Sequence, residues 1–184
     1  MSKIVIVYHS GYGHTKKVAE AVASTSGALL LPIDAEGNLP EGGWEQLLAA
    51  RMIVFGSPTY MGGASWQFKK FADASSKPWF ARQWKDKLAA GFTNSATMNG
   101  DKFSTLHYFF TLSQQHGMLW VGPAMMPSNA KASTRNDLNY VGGFSGLMTV
   151  SPSDASVDEM LPGDIATAKA FGTRLAEVTA RLAG

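Results

Sequence analysis

The stretch IVIVYHSGYGHT, residues 4–15, decides the fold of this chain. Its first part, Ile4 to Tyr8, is apolar without alternation, which is typical of a strand buried on both faces of a parallel sheet. Gly11 and Gly13 end the strand, and a helical pattern begins near His14. A strand, a tight turn and a helix in this order place free backbone N–H groups at the positive end of the helix. The turn is therefore a candidate anion site.

The residues of the turn narrow the choice of anion. Ser10 and Thr15 add hydroxyl donors, and no GxxxxGK[ST] pattern is present, so a P-loop is excluded. The dinucleotide pattern GxGxxG matches only in part, because Lys16 occupies the position of the third glycine. Asp34 after the second strand nevertheless keeps a dinucleotide site as an open interpretation. A neutral, hydroxyl-rich turn suits a phosphate monoester such as that of FMN. The alternative is a tight turn without a ligand, in which Thr15 caps the helix.

Composition limits the functional classes. The 184 residues are 45% hydrophobic and 16% charged with a net charge of +2, which predicts one domain covering 1–184. The lysines and arginines are spread along the chain, which argues against a nucleic-acid partner. Cysteine is absent and the four histidines lack ligand spacing, so we expect no disulfide, no cysteine nucleophile and no metal site, and redox chemistry would need a cofactor. We expect a cytoplasmic protein without a membrane segment, because the first apolar run is too short to span one.

Strand-length apolar runs recur along the chain and alternate with helical patterns, the clearest of which follows Pro162. The predicted strands are Ile4–Tyr8, Ala28–Ile33, Met52–Phe55, Leu88–Thr93 and Met118–Val121. This alternation predicts an α/β fold of the flavodoxin-like type, a three-layer sandwich with a five-stranded parallel sheet in the order 2-1-3-4-5 and helices on both faces. Ligands bind beyond the carboxyl ends of such strands. The long Gly-rich and Asn-rich segment from Gly122 to Gly146 follows the fifth strand, where it would bind a ligand, form a lid or contact a neighbour.

Two further stretches belong to the same edge of the predicted sheet. GSPTYMGG, residues 56–63, follows the third strand, and TNSATMNG, residues 93–100, follows the fourth. Their glycines and small polar residues allow backbone amides to approach a flat heterocycle, and Tyr60, Met61 and Met98 can lie against its face. Each stretch alone is equally compatible with an ordinary loop. Three such loops on one edge favour a binding site.

The motifs YHSGYGHT, GSPTYMGG with QFKKFAD, FTNSATMNG and QQHGM resemble those of the flavodoxin-like NAD(P)H:quinone oxidoreductases, known as tryptophan-repressor-binding proteins, and of the related NADPH-dependent FMN reductases. The resemblance covers most of the chain in the same order. It implies FMN as the cofactor and NAD(P)H as the electron donor. The residues that it implies for FMN binding are Ser10, Gly11, Tyr12, Gly13, His14, Thr15, Pro58, Thr59, Tyr60, Met61, Gly62, Asn94, Ser95, Ala96, Thr97, Met98, Asn99 and His116.

The resemblance also implies a catalytic pocket in which Tyr12, Trp79 and His116 lie near the nicotinamide and the quinone. From the residues alone, His116 is as compatible with a helix cap as with a ligand, and Trp79 with core packing or a subunit contact. One departure from the family is the loop after the fourth strand, where NSATMN replaces a glycine-rich run. Lys16 and Lys17 are more typical of a solvated helix face than of phosphate ligands.

The predicted function is FMN-dependent transfer of two electrons from NAD(P)H to a quinone-like acceptor by a ping-pong mechanism, because the flavin carries the redox chemistry and the protein positions it. The resemblance implies a homo-oligomer, with a tetramer as the preferred state and a dimer as the alternative. Two other classes remain open. One is a flavodoxin-type electron carrier, although such carriers are usually acidic and this chain is slightly basic. The other is a non-enzymatic regulatory or interaction module.

Overall fold

The computed structural model describes residues 4–182, in which strands and helices alternate as the apolar runs predict. The strands are β1 (Ile4–His9), β2 (Leu29–Ile33), β3 (Met52–Tyr60), β4 (Gly63–Ala64), β5 (Leu88–Ser95), β6 (Leu119–Trp120) and β7 (Leu147–Val150). The helices are α1 (His14–Ser26), α2 (Gly43–Ala49), α3 (Trp66–Ala74), α4 (Ser76–Phe80), α5 (Lys102–Gln115) and α6 (Pro162–Arg181), with a 3-10 turn at Val157–Glu159. The short elements α2, α4, β4 and β7 were not predicted.

The parallel sheet has the order β2-β1-β3-β5-β6, which confirms the flavodoxin-like fold and its predicted strand order. The fifth position differs from the prediction because two separate segments fill it. β6 pairs with Leu88 and Ala89 at the start of β5, whereas β7 pairs with Phe92 to Ser95 at its end. The segment from Gly122 to Gly146 therefore interrupts the edge strand instead of following it. The chain leaves the sheet after β6 and returns to its carboxyl end with β7.

Alternating side chains of β1 enter two different cores, which explains why its sequence is apolar without alternation. Ile6 packs on one face with residues of α1 and α6, including Val22 and Phe171. Val7 packs on the other face with residues of α3 and α5, including Phe68. The result is the predicted three-layer sandwich. Trp84 belongs to this second core, and the partly buried Trp44 packs against it.

The strands β3 and β5 extend beyond their predicted ends and carry polar residues to the carboxyl edge of the sheet. β3 continues to Tyr60 and turns back through Met61 and Gly62 into β4, with Thr59 paired to Ala64. β5 continues to Ser95. These extensions bring the polar loops next to the turn that follows β1. Within residues 4–182, no helix combines the length and the apolar content that crossing a membrane requires.

Candidate functional site

A cavity of about 710 Å³ lies at the carboxyl edge of the sheet, where four loops meet. This volume is within the range of cofactor sites, about 300–1,000 Å³. Three of the loops follow β1, β3 and β5, as predicted, and the fourth follows β7. The lining residues are Tyr12, His14, Thr15, Pro58, Thr59, Tyr60, Asn94, Ser95, Ala96, Ser151, Pro152, Ser153, Ala155, Ser156 and Val157.

The turn after β1 is shaped by Ser10, whose hydroxyl oxygen accepts hydrogen bonds from the N–H groups of Gly13 and Lys16, both at 3.1 Å. Ser10 thus satisfies one amide of the first turn of α1, the role that the alternative interpretation gave to Thr15. Gly13 has a φ of 92°, and a Cβ there would lie 2.7 Å from Cγ2 of Val157. Only glycine fits this position.

Free donors remain at the start of α1. The N–H groups of His14 and Thr15 have no acceptor within residues 4–182, because the first amides of a helix lack an internal partner. Thr15 is buried and lines the cavity, and its hydroxyl forms no hydrogen bond within the same described residues. The positive end of α1 and these donors make a site for an anionic oxygen.

The neighbouring basic side chains are occupied elsewhere. Lys16 lies 3.8 Å from the carboxylate of Glu20, and Lys17 Nζ donates to the carbonyl of Val157 at 3.0 Å and to Asp158 at 3.1 Å. The turn therefore offers amides and hydroxyls without a cation. His14 Nε2 lies 3.0 Å from the carbonyl oxygen of Ala155, so α1 is joined to the segment 151–157 at two points.

The loop after β3 supplies Pro58, Thr59 and Tyr60 to the cavity. The hydroxyl of Thr59 is 2.8 Å from the hydroxyls of both Thr93 and Thr105, which fixes the end of β3 against β5 and α5. Tyr60 lies edge-on to Tyr12, with ring centroids 6.2 Å apart. Burial raises the pKa of Tyr60, so its hydroxyl stays protonated at neutral pH. The two tyrosines form an aromatic rim.

Met61 and Gly62 were predicted to bind the cofactor, but they do not line the cavity. They form the tip of the hairpin between β3 and β4, with φ values of 48° and 79°. Two positive φ angles match the type I′ turn that joins short antiparallel strands, and the side chain of Met61 is fully exposed. Their position follows from the hairpin, which the apolar pattern alone did not indicate.

The loop after β5 begins with a fixed amide. Asn94 Oδ1 accepts hydrogen bonds from the hydroxyls of Thr149 at 2.8 Å and Ser151 at 3.0 Å. Its Nδ2 group has no acceptor within residues 4–182, and Asn94 lines the cavity. The two hydroxyls hold the carbonyl oxygen in the protein, and the NH₂ group is left as a donor for a ligand.

Thr97, Met98 and Asn99, also predicted to bind the cofactor, continue this loop directly after Ala96, the last residue of the loop that lines the cavity. Their carbonyl oxygens lie 2.5, 3.0 and 3.5 Å from Nζ of Lys102, at the start of α5. Lys102 is fully buried, and desolvation lowers its pKa to about 8. The buried position of Lys102 is not evident from the sequence, because a lysine in a helix usually faces solvent.

The fourth loop, residues 151–157, was also missed. It contributes the side chains of Ser151, Ser153 and Ser156 to the cavity. The signal was the apolar run GLMTV, residues 146–150, followed by SPSDAS, which is the pattern of a strand and a polar loop. The preceding segment is rich in Gly, Asn and Ser, so the strand was hidden in a stretch that was predicted as one long connection.

The structure does not bring Trp79 and His116 to this cavity within one chain. They line a smaller cavity of about 300 Å³ with Ser75 and Tyr108. His116 is buried, its Nε2 is 2.9 Å from the hydroxyl of Ser75, and its ring lies 4.3 Å from that of Trp84. Burial lowers the pKa of His116 to about 4, so its imidazole is neutral at pH 7. Trp79 is half exposed on α4.

Asp34 has a structural role. Its carboxylate accepts hydrogen bonds from the N–H groups of Glu36 at 3.0 Å and Asn38 at 2.7 Å, so it closes the turn after β2. These backbone hydrogen bonds, chiefly that of Asn38, lower the pKa of Asp34. Asp34 does not line the large cavity, which removes the support for a dinucleotide site. Among residues 4–182, no three His, Asp or Glu side chains form a group that could hold a metal ion.

Comparisons with known proteins identify the family of this chain. The family model of NADPH-dependent FMN reductase matches residues 43–132. Flavodoxin FldP of Pseudomonas aeruginosa is 51% identical over 182 residues, which cover 99% of each chain. An NAD(P)H dehydrogenase (quinone) of Geobacter sulfurreducens is 31% identical over 207 residues, with 98% of this chain and 99% of that protein covered.

Solved structures give the same assignment. The flavodoxin, WrbA-like protein from Agrobacterium tumefaciens superposes with a TM-score of 0.79 at 51% identity and covers 98% of this chain and 99% of that chain. Flavodoxin 2 from Bacillus cereus, with a TM-score of 0.61 at 18% identity, covers 96% of this chain and 99% of its own and shares the fold. The chain therefore belongs to the flavodoxin-like family of FMN-dependent NAD(P)H:quinone oxidoreductases that its motifs resemble.

Proposed function

We propose that residues 1–184 act as one domain that binds FMN in the large cavity and transfers two electrons from NAD(P)H to a quinone-like acceptor. The observation that carries this proposal is the turn after β1. It presents the free amides of His14 and Thr15 and the Thr15 hydroxyl at the positive end of α1, without a basic side chain. A terminal phosphate monoester needs such donors, and the absence of a cation leaves the phosphate charge to the helix end.

The other loops suit the flat part of the same cofactor. Thr59 and Tyr60 line the cavity from the end of β3, and Asn94, whose side-chain oxygen is fixed by Thr149, lines it from the neighbouring strand β5. Small residues such as Ser95 and Ala96 allow the backbone to approach a ring closely. When bound, FMN would supply the chemistry, accepting a hydride from NAD(P)H and giving two electrons to the acceptor. The side chains position the ring, and none of them needs to act as a nucleophile.

The rim made by Tyr12 and Tyr60 is the reason for a ping-pong mechanism. Tyr12 is 78% exposed and Tyr60 is 39% exposed, so both rings offer an apolar surface to flat ligands. The other lining residues come from the same turn and loop, from the loop after β5 and from residues 151–157. One open face would then serve the nicotinamide and the quinone in turn.

In a homo-oligomer, the smaller cavity of a neighbouring copy would lie against this open face. We propose a tetramer in which a neighbouring copy supplies its Trp79 and His116, since one chain does not bring them to the large cavity. Large apolar side chains such as Phe80, Met126 and Phe144 are more than half exposed, which is typical of a contact surface. Light scattering at micromolar concentration should report a multiple of the 19.7 kDa chain mass. A strict monomer would refute the shared pocket.

Steady-state kinetics test the reaction. Initial rates with NADH or NADPH varied against benzoquinone should give parallel double-reciprocal lines. Anaerobic mixing with the nicotinamide should bleach the absorbance of the bound flavin in a single phase. Intersecting lines would show a ternary complex and would contradict the single open face.

A second candidate is a flavodoxin-type electron carrier, because the 51% identical relative from Pseudomonas aeruginosa is called a flavodoxin. The same experiment separates the two functions. Bound FMN that neither NADH nor NADPH reduces, but that a reduced partner protein does reduce, would favour the carrier. A purified protein that does not bind added FMN would favour the non-enzymatic module.

A further inference from the structure

Lys102 is an unusual residue for the start of a helix. Its side chain is fully buried, and its ammonium group stands at the N-terminal end of α5, where the helix dipole disfavours a cation. Nζ lies within hydrogen-bond distance of three successive carbonyl oxygens, those of Thr97, Met98 and Asn99. Burial of a charge at this position lowers stability, which is typical of a residue that serves a function.

The carbonyl contacts determine where the amides of the loop point. In a trans peptide, the C=O of one residue and the N–H of the next point in opposite directions, and no peptide bond within residues 4–182 is cis. Three carbonyls directed at Lys102 therefore direct the N–H groups of Met98, Asn99 and Gly100 away from it. None of these N–H groups has an acceptor in the described part of the chain. The side chains of Thr97, Met98 and Asn99 are exposed on this outer side.

We propose that Lys102 is a positioning residue that turns the carbonyls of residues 97–99 inward, so that the amides of residues 98–100 form a row of donors for the oxygen and nitrogen atoms at the edge of a flat heterocycle. The inference rests on the proposed FMN function and deepens it. In this chain NSATMN takes the place of the family's glycine-rich run, and the ammonium group of Lys102 holds the loop in one conformation. Preorganised donors of this kind stabilise negative charge on a bound ring.

Two charged residues from other elements face Lys102. Asp164, in the first turn of α6, favours its protonated form, and Arg135, in the segment that interrupts the edge strand, opposes it. Arg135 Nη2 donates to Asp164 Oδ2 at 2.8 Å, which reduces the charge that Asp164 offers to Lys102. Arg135 Nη1 also lies 3.0 Å from the sulfur of Met98, so the same guanidinium group contacts the loop directly. The position of the loop thus depends on Lys102, which is close in sequence, and on two distant residues, Arg135 and Asp164.

The test uses Lys102→Met, which keeps most of the unbranched side chain and removes its charge and donors. Riboflavin serves as the probe for the ring because it lacks the phosphate, and FMN is titrated in parallel by fluorescence quenching. We expect both affinities to fall by about tenfold, the effect of a loop that is no longer held by charged hydrogen bonds. We expect an unchanged or higher Tm, because a buried charge is removed.

The matched control is Lys87→Met. Lys87 Nζ also donates to two backbone carbonyls, those of Leu48 and Ala50, but it lies at the opposite edge of the sheet. This variant should bind both flavins as the wild type does. Equal riboflavin affinity in Lys102→Met and the wild type would overturn the positioning role, whereas a wild type that binds no FMN would overturn the proposed function itself. A fall in both affinities together with a large fall in Tm would show a merely structural lysine.

A pH titration of the wild type tests the same role without a mutation, should Lys102→Met not fold. The pKa of Lys102 is about 8, so its ammonium group loses the proton between pH 7 and pH 9. If binding requires the protonated form, riboflavin affinity should fall by about tenfold over this range, because the competent fraction falls by that factor. Lys87→Met should follow the wild-type profile. A constant affinity from pH 7 to pH 9 would refute the inference.

Discussion

The turn after β1 and the loop of residues 96–100 both present free backbone amides at the same edge of the sheet, but they do so by different means. In the turn, the amides are free because a helix begins there, and Ser10 braces the turn from within seven residues of sequence. In the loop, no helix orients the amides that face outward. Lys102 holds the opposite ends of the peptide groups, and Asp164 and Arg135 act on its charge.

Both donor sites are braced by a residue nearby in sequence, but only the brace of the loop is a buried charge that distant residues act on. The conformation of the turn is set by residues that are adjacent in sequence, namely its glycines, its hydroxyl residues and the start of α1. The loop depends on a charge that is buried by elements from distant parts of the chain. Substitutions in the turn should therefore weaken binding of the phosphate, and substitutions in the loop should weaken binding of the ring.

The largest effect is expected from Ser10→Ala combined with Thr15→Ala. The double variant loses the brace of the turn and the hydroxyl in the cavity, each worth roughly 1.5 kcal/mol or more toward an anion, so FMN affinity should fall by about 100-fold. Riboflavin affinity should change little, because riboflavin has no phosphate. Fluorescence titration measures both. Unchanged FMN affinity would show that the phosphate does not bind at this turn.

A smaller effect is expected from Asn94→Asp. Thr149 and Ser151 would still donate to one oxygen, and the second oxygen would replace the NH₂ group that faces the cavity. Two donors would be lost and a negative charge gained, so the affinities for FMN and riboflavin should both fall by about tenfold. The control is Ser151→Ala, which removes one of the two bonds to Asn94 and should weaken both flavins less. Tighter binding by the aspartate variant would contradict the orientation of the amide.

Gly100→Ala should have a still smaller effect, confined to the ring. Gly100 has a φ of 52°, and an added Cβ would lie 2.2 Å from the Ser95 hydroxyl oxygen, which donates to the carbonyl of Thr97. Displacing that hydroxyl and straining the backbone should cost about 1 kcal/mol, which corresponds to about a fivefold loss of riboflavin affinity. Gly62→Ala, at the exposed hairpin tip outside the cavity, controls for a positive φ angle alone. Equal losses in the two variants would remove the special role of Gly100.

The smallest effect is expected from Lys16→Met combined with Lys17→Met. Both ammonium groups are paired with carboxylates, one of them an exposed i, i+4 pair, and neither lysine lines the cavity. FMN affinity at 0.15 M salt should fall by about twofold at most, since charges near the surface that are already paired are largely screened by salt. A tenfold loss would show that the lysines contact the phosphate, and the turn would no longer be a cation-free site.

Much of the fold could be predicted from the sequence because its strands are apolar on both faces and its helices have a clear period. β1, β5 and α6 lie close to their predicted positions. β7 was missed because its short apolar run follows a Gly-rich and Ser-rich segment, and its pairing with β5 is what identifies it as a strand. The hairpin tip at Met61 was likewise hidden, since its conformation depends on the pairing of Thr59 with Ala64.

For the candidate site, the sequence by itself determined the turn at residues 10–15 and the edge of the sheet at which three loops meet, because strand ends and helix starts follow from local patterns. Only the tertiary structure decided that Ser151 and Thr149 fix Asn94, that Lys102 is buried behind residues 97–99, and that His116 lies in a separate cavity. The contacts of Asn94 and His116 join residues far apart in the chain, and the charge of Lys102 is influenced by the distant residues Asp164 and Arg135. Burial and charge pairing are properties of the packed molecule, so no local pattern contains them.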